Sequence, residues 1–385
     1  MTTFASLWGS PLVREGCAEL TRAVEVTTEE AITIQQIPAP TFTEEARAQY
    51  VYVRFQELGL AEVEMDASGN VYGFVPGREA GEGLLVSAHL DTVFEADTDL
   101  TIRHTGDRIY GPGIGDNSLG VAGLLTLADL IQEQHPRRDL WFVANVGEEG
   151  LGNLKGMWAA MRRLEPRVGA VIVLEGGAYG GVIHRGVGVQ RRRLTVETPG
   201  GHAWSDFGSP SAIHELCRIG AAIAALDLPE SPRTTFNLGT IEGGTSINTI
   251  AATATALLDL RSEEPASLDD LARRVNGILS EVQRDGVMVQ SEQIGERPAG
   301  SIPASHPLVR AATESLLWLG YDDPVLRAAS TDANVPLSMG VPAVCIGLAV
   351  GHNAHRLDEY IELDLLGEGL QHAYLVIWTT AEMLL

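Results

Sequence analysis

Two adjacent carboxylates, Glu148 and Glu149, close the stretch DLWFVANVGEEGLGN (residues 139–153), where an apolar run ends between glycines. A lone Glu-Glu pair reads most simply as solvated surface charge. The chain repeats the arrangement, however. His89 and Asp91 end GLLVSAHLDTV, Glu175 ends VIVLEGG, and Asp116 stands in the glycine-rich GPGIGDNSLG. Five carboxylates at one place beside an imidazole repel one another until a cation joins them. Hard oxygen donors with imidazole are the ligand set that zinc, manganese or cobalt takes.

Those residues meet only if the elements carrying them share an edge. GLLVSAHLDTV reads as a buried strand, and NSLGVAGLLTLADLIQEQ as a helix, with Val121, Leu124, Leu125, Leu127, Ala128 and Ile131 at helical spacing and Asp116 as a candidate N-cap. A second strand ends at Glu148, a helix follows in LGNLKGMWAAMRRLEP, and a third strand ends at Glu175. Strand, helix, strand, helix, strand predicts a parallel sheet covered on both faces. Ligands of such sheets bind beyond the carboxyl ends of the strands, where these residues lie.

Residues 187–296 differ in character: strand, helix, two strands, helix, strand, the order of a ferredoxin-like α+β unit. Ser267 and Asp270 stand at capping-box-like spacing before its second helix. From residue 297 buried-strand and helical patterns return, and PAVCIGLAV runs into GHNAHRLDEYIEL with His352 and His355. The expected fold is therefore an α/β domain over 1–186 and 297–385, with a mixed, largely parallel sheet and helices on both faces, interrupted by the 187–296 insertion.

The 385 residues carry a net charge of -24, which disfavours nucleic acid as a partner. The N-terminus reads as no convincing signal peptide, and no run of about eighteen apolar residues predicts a membrane span. Cys17, Cys217 and Cys345 are scattered without a CxxC, so a reducing cytoplasm is expected.

The motifs SAHLDTV, GPGIGDNSLG, VGEEGLGN, VLEGG, GGHAW, GGTSINTI, LDLRS, STDANVPLSMGVPAV and AHRLDEYIE occur in that order. Together they resemble the M20 family of dinuclear zinc peptidases and amidohydrolases. The resemblance implies two divalent ions per chain, zinc first, with cobalt or manganese as alternatives. His89, Asp116 and Glu175 would hold one, Glu149, Asp116 and His355 the other, so Asp116 would bridge, followed by a cis peptide bond. Asp91 would orient His89, and Glu148 would be the general base. His352 competes with His355 for the last place, which the family's His-to-Glu spacing gives to His355, with Glu359 as that Glu.

The inserted unit resembles the family's lid and dimerisation domain. By motif, His202 would stabilise an oxyanion in the partner subunit's site, which requires at least a homodimer, and Asn248 and Arg261 would bind substrate; Arg261 has Glu263 or Glu264 as alternative ion-pair partners. Asp332 and Asn334 would line the pocket, or else form an Asx-type turn. His104, His135, His184, His214, His306 and His372 match no motif and read as surface or packing residues. Glu175, where many family di- and tripeptidases have aspartate, tilts the substrate toward an amide beside a free α-carboxylate. The leading expectation is a cytoplasmic peptidase acting on small peptides, the second an N-acyl-amino-acid deacylase, and the third a silent binding protein on the same fold.

Overall fold

The computed structural model describes residues 3–385. The chain folds as two compact units: one comprises the chain up to Gly186 together with Ser301–Leu385, the other Val187–Gly300. The insertion ends a few residues beyond 296, because Arg297 still belongs to its last strand and Ala299 faces Gly188.

The sheet of the first unit runs in spatial order Ala61–Met65, Val71–Val75, Leu140–Asn145, Gly83–His89, Val168–Glu175, Ala343–Gly347, Gly181–Gly186. The four strands from Leu140–Asn145 to Ala343–Gly347 are parallel, and the others at this path's ends pair antiparallel. Every residue of Gly83–His89 and of Leu140–Asn145 is buried, which is why these segments read as unbroken apolar runs. Alternation sorts them to the two faces. Leu84, Val86 and Ala88 pack with Leu124, Leu127 and Ala128 of helix Leu119–Gln134, while Leu85 packs with Val171, Val173 and with Met157 and Met161 of helix Lys155–Leu164. Each such buried aliphatic side chain contributes about 1.5–3 kcal/mol. Residues Ile114–Gln134 are long and apolar enough to span a membrane by composition, but 83% of the apolar window is buried inside the protein.

Asp116 is not the N-cap of that helix. Its φ of -123° and ψ of 87° are non-helical, and the helix begins at Leu119. The aspartate is turned away from the helix end, which leaves its carboxylate for other partners.

Helices Pro11–Arg22, Val24–Gln35 and Glu45–Glu57 precede the sheet, and Pro307–Trp318 and Leu366–Thr379 close the unit. Between the last two, His372 Nδ1 lies 2.8 Å from Ser315 Oγ, fully buried, and burial pulls its pKa down to about 3. A depressed histidine favours the fold above its unfolded value of about 6.5, and that contribution is lost as pH falls toward 3. Between pH 7 and pH 5 it should cost about 2 kcal/mol of unfolding free energy. Urea unfolding of wild type and His372→Gln at both pH values measures the share that vanishes with the titrating ring.

In the second unit the sheet order is Thr234–Gly243, Thr253–Ser262, Gly188–Glu197, Met288–Arg297, all antiparallel. Inward residues of Thr253–Ser262 (Ala254, Ala256, Leu258, Leu260) pack with helices Ala212–Ala224 and Pro265–Val282 in one cluster. This is the ferredoxin-like order. The second helix starts earlier than the Ser267 capping-box reading: Pro265 occupies its first turn, where a missing N–H costs nothing, and Glu264 is the N-cap.

Candidate metal centre

The carboxyl ends of the parallel strands bring together most of the residues singled out from sequence. His89 ends one strand directly beside Asn145 of its neighbour, and Glu175 ends the next. Asp116 reaches them from the loop before helix Leu119–Gln134, and the peptide bond to Asn117 is cis. Asn117 ties this loop to the Glu175 strand end: its Nδ2 donates to Leu174 O and its Oδ1 accepts from Gly176 N, both at 2.9 Å.

The two oxygens of Asp116 face two different imidazoles. Oδ1 lies 3.1 Å from His89 Nε2 and Oδ2 lies 3.1 Å from His355 Nε2. Each histidine has a second carboxylate, with Glu175 Oε2 3.7 Å from His89 Nε2 and Glu149 Oε1 3.0 Å from His355 Nε2. Ligand atoms of His89, Asp116 and Glu149 all lie within 4.8 Å of one another. His355, not His352, is the histidine brought to the cluster, with a φ of 66° at the turn that carries it. His352 instead stacks on Tyr360, 4.7 Å between ring centres, and lies 3.7 Å from Glu362.

Asp91 is fully buried behind His89, its Oδ1 3.5 Å from His89 Nδ1. It also accepts from Glu148 N at 2.9 Å, Glu149 N at 2.8 Å and Thr41 Oγ1 at 2.9 Å. The Asp91 carboxylate thus holds the backbone of the Glu-Glu pair, and its backbone carbonyl, 3.0 Å from His89 Nδ1, holds the histidine ring. Burial pushes the Asp91 carboxyl up, but its bonds to His89 and to these N–H groups outweigh that and leave it below the usual range.

Charge in the cluster is heavily perturbed. Burial raises Glu175 to about 7, and the bonds of His355 to Asp116 and Glu149 raise that imidazole to about 10. For Asp116 burial acts upward, yet the bonds to His355 and His89 hold it well below the carboxylate range. The group attracts positive charge, and its donors, two imidazoles and three carboxylates with one carboxylate shared, fit two divalent ions.

A family model described as Peptidase family M20/M25/M40 matches residues 85–379. The chain belongs to this family. As an M20 member it is an enzyme that hydrolyses amide bonds with the help of metal. It is 26% identical over 332 residues to the succinyl-diaminopimelate desuccinylase of Corynebacterium glutamicum, covering 84% of this chain and 88% of the relative. Its fold is similar to a Staphylococcus aureus tripeptidase, with a TM-score of 0.79 at 20% identity over 93% of this chain and 98% of the other. It is likewise similar to the Bacillus subtilis YXEP protein, a dinuclear metal binding peptidase of the M20 family, with a TM-score of 0.69 at 14% identity over 93% and 98%. At these identities the two solved structures speak for the fold.

Of the other residues singled out from sequence, Asp332 borders the cluster through Asn145, the neighbour of His89. Asp332 and Asn334 are completely buried: Asp332 Oδ2 accepts from Asn145 Nδ2 at 2.6 Å, and Asn334 Oδ1 accepts from Thr331 N at 3.0 Å. The Asn334 bond reaches three residues back along the chain, unlike an Asx turn, which bonds two residues on, and the Asp332 carboxylate is near enough to Glu175 to add to the burial that raises its pKa. In the second unit, His202 pairs with Thr249 between short strands, its Nδ1 accepting from Trp204 N and Ser205 N. Asn248 Oδ1 accepts from Ser246 Oγ. Arg261 pairs with Asp259, Nε to Oδ1 at 2.7 Å, rather than with Glu263 or Glu264; residues two apart on a strand share a face.

Glu359 has a larger part in this M20 site than its spacing from His355 suggested. Only 1% exposed, its Oε1 accepts from Gly115 N at 2.8 Å and Asp116 N at 2.9 Å, and its Oε2 accepts from Gly113 N at 2.9 Å. A carboxylate gripping three N–H groups sets the loop that presents Asp116. In Glu359→Gln the amide NH2 would face an N–H, leaving buried donors without an acceptor. Urea unfolding should show a loss of about 1–3 kcal/mol.

Proposed function

We propose that this M20 enzyme hydrolyses small peptides beside a residue with a free α-carboxylate, using two divalent ions held by His89, Asp116 and Glu175 and by Glu149, Asp116 and His355. The division of the Asp116 oxygens between two imidazoles, each backed by a further carboxylate, carries this reading. Zinc is the ion its imidazole and carboxylate donors favour first, with cobalt or manganese also accepted. Bound there, the ions would supply Lewis acidity toward the scissile carbonyl and a water acidified toward a pKa of about 7.

The chain's own groups do the rest. Glu148, buried on the same turn as Glu149, is proposed to take a proton from the attacking water and deliver it to the leaving nitrogen. Asp91 fixes the ring of His89 and the Glu148 and Glu149 amides together. Arg261 and Asn248 are proposed to hold the substrate carboxylate, with a guanidinium fork suited to it. His202 is proposed to stabilise the oxyanion of a partner subunit's reaction in a homodimer. Trp204, Phe207 and Ile247 beside His202 and Asn248 are 88%, 91% and 104% exposed, which supports an associating surface. A cytoplasmic location is proposed from the scattered Cys17, Cys217 and Cys345, which lack a CxxC. The charge of -24 favours neither nucleic acid nor an anionic membrane as partner.

Similarity to a desuccinylase supports N-acyl-amino-acid deacylation as the second reading. Mass spectrometry of metal-loaded protein against a pool of dipeptides, tripeptides and N-acyl amino acids separates the two. Peptides cleaved by wild type but not by Glu148→Gln support the first. Acyl groups lost with peptides untouched transfer the conclusion to the second. Intact pools in the presence of two bound ions would contradict both.

A further inference from the structure

The first turn of helix Glu45–Glu57 holds two oppositely charged side chains buried against the strand ends that carry the site. Arg47 is only 2% exposed, and its Nη1 donates to Leu90 O at 2.7 Å, the carbonyl between His89 and Asp91. Its Nε and Nη2 donate to Ile37 O at 3.2 and 2.8 Å. Glu44, the N-cap residue of the same helix and 3% exposed, accepts from Gly147 N at 3.0 Å, the amide just before Glu148. Both residues precede position 85, where the family match begins.

A buried guanidinium is costly unless paired and hydrogen-bonded, so a staple meant only for packing would be better made of apolar side chains. Here the cation stands in the field of Asp91, whose carboxylate lies 3.5 Å from His89 Nδ1 and accepts from the Glu148 and Glu149 amides. We propose that Glu44 and Arg47 are positioning residues of the metal centre: Arg47 fixes the His89 and Asp91 strand end, and Glu44 fixes the Glu148 and Glu149 turn beside it. The inference rests on the metal centre proposed above.

Cobalt titration of metal-free protein, followed by visible absorption, and kcat and KM of the loaded enzyme test it. Arg47→Met should weaken cobalt binding about 10- to 100-fold, the range for partners that orient metal ligands, and shift the cobalt bands. Its kcat should fall with KM little changed, because substrate-binding groups are untouched. Arg47→Lys, which keeps the charge and reaches one carbonyl, should recover part of the loss. Glu44→Ala should lower kcat, and Glu44→Gln should recover most of that, since an amide oxygen still accepts from Gly147 N. If Arg47→Met does not fold, the Glu44 pair decides in the same way. Variants with wild-type cobalt affinity, spectrum and turnover would overturn the positioning roles and leave the metal centre standing. A wild type that takes up no cobalt would overturn the centre and these roles with it.

Discussion

Glu148→Gln should keep both metal positions and lose about 10²- to 10⁴-fold in kcat, the usual contribution of a positioned general acid–base group. The amide is nearly the same size as the carboxylate and cannot take a proton from water. The Glu148 N–H that donates to Asp91 at 2.9 Å is unchanged, and Glu149 keeps its carboxylate 3.0 Å from His355. Metal analysis of the variant alongside its steady-state kinetics checks both halves. Full metal content with turnover close to wild type would remove Glu148 from the mechanism and leave the proton transfer to another group.

Asp116→Asn should damage both metal positions at once. One oxygen would be replaced by an NH2 that repels a cation, and whichever way the amide turned, either His89 or His355 would lose its shared oxygen. The negative charge that both histidines experience would also be gone. Affinity should fall by more than about 100-fold, beyond what partners that merely orient ligands usually cost. Competition against a chromophoric chelator measures it. His89→Ala, by contrast, should spare the position of His355, because Glu149 and the far oxygen of Asp116 remain.

Much of the site was legible because its chemistry is tied to strand ends. Apolar runs that lead to His89, Glu148 and Glu175 mark buried parallel strands, and a parallel sheet forces their ends onto one edge. The second strand ends at Asn145, and the Glu-Glu pair stands on the turn after it. The βαββαβ order of the inserted unit was equally readable, since its strands alternate cleanly: Thr253–Ser262 buries every second residue. Helix starts were less so. Asp116 has the residue type and place of an N-cap, but its loop is committed to the site by Glu359, 243 residues away, and by the bond of neighbouring Asn117 to Leu174, 57 residues on. Nothing local in the sequence encodes such partners.

The same holds for Arg47 and Glu44. Both sit among the charged residues of an apparently surface helix, and only the fold buries them. Asp332 and Asn334 show the converse, polar residues in a loop pattern that tertiary packing encloses completely. For Arg261 the sequence offered Glu263 and Glu264, whereas the strand pleat delivers Asp259.

The most direct measurement is the number of metal ions per chain, by elemental mass spectrometry after zinc loading and gel filtration, in wild type and Asp116→Asn. A shared Asp116 between two imidazoles predicts two ions in wild type and fewer than one in the variant. One ion or none in wild type, or two ions retained without the Asp116 carboxylate, would contradict a bridged dinuclear centre.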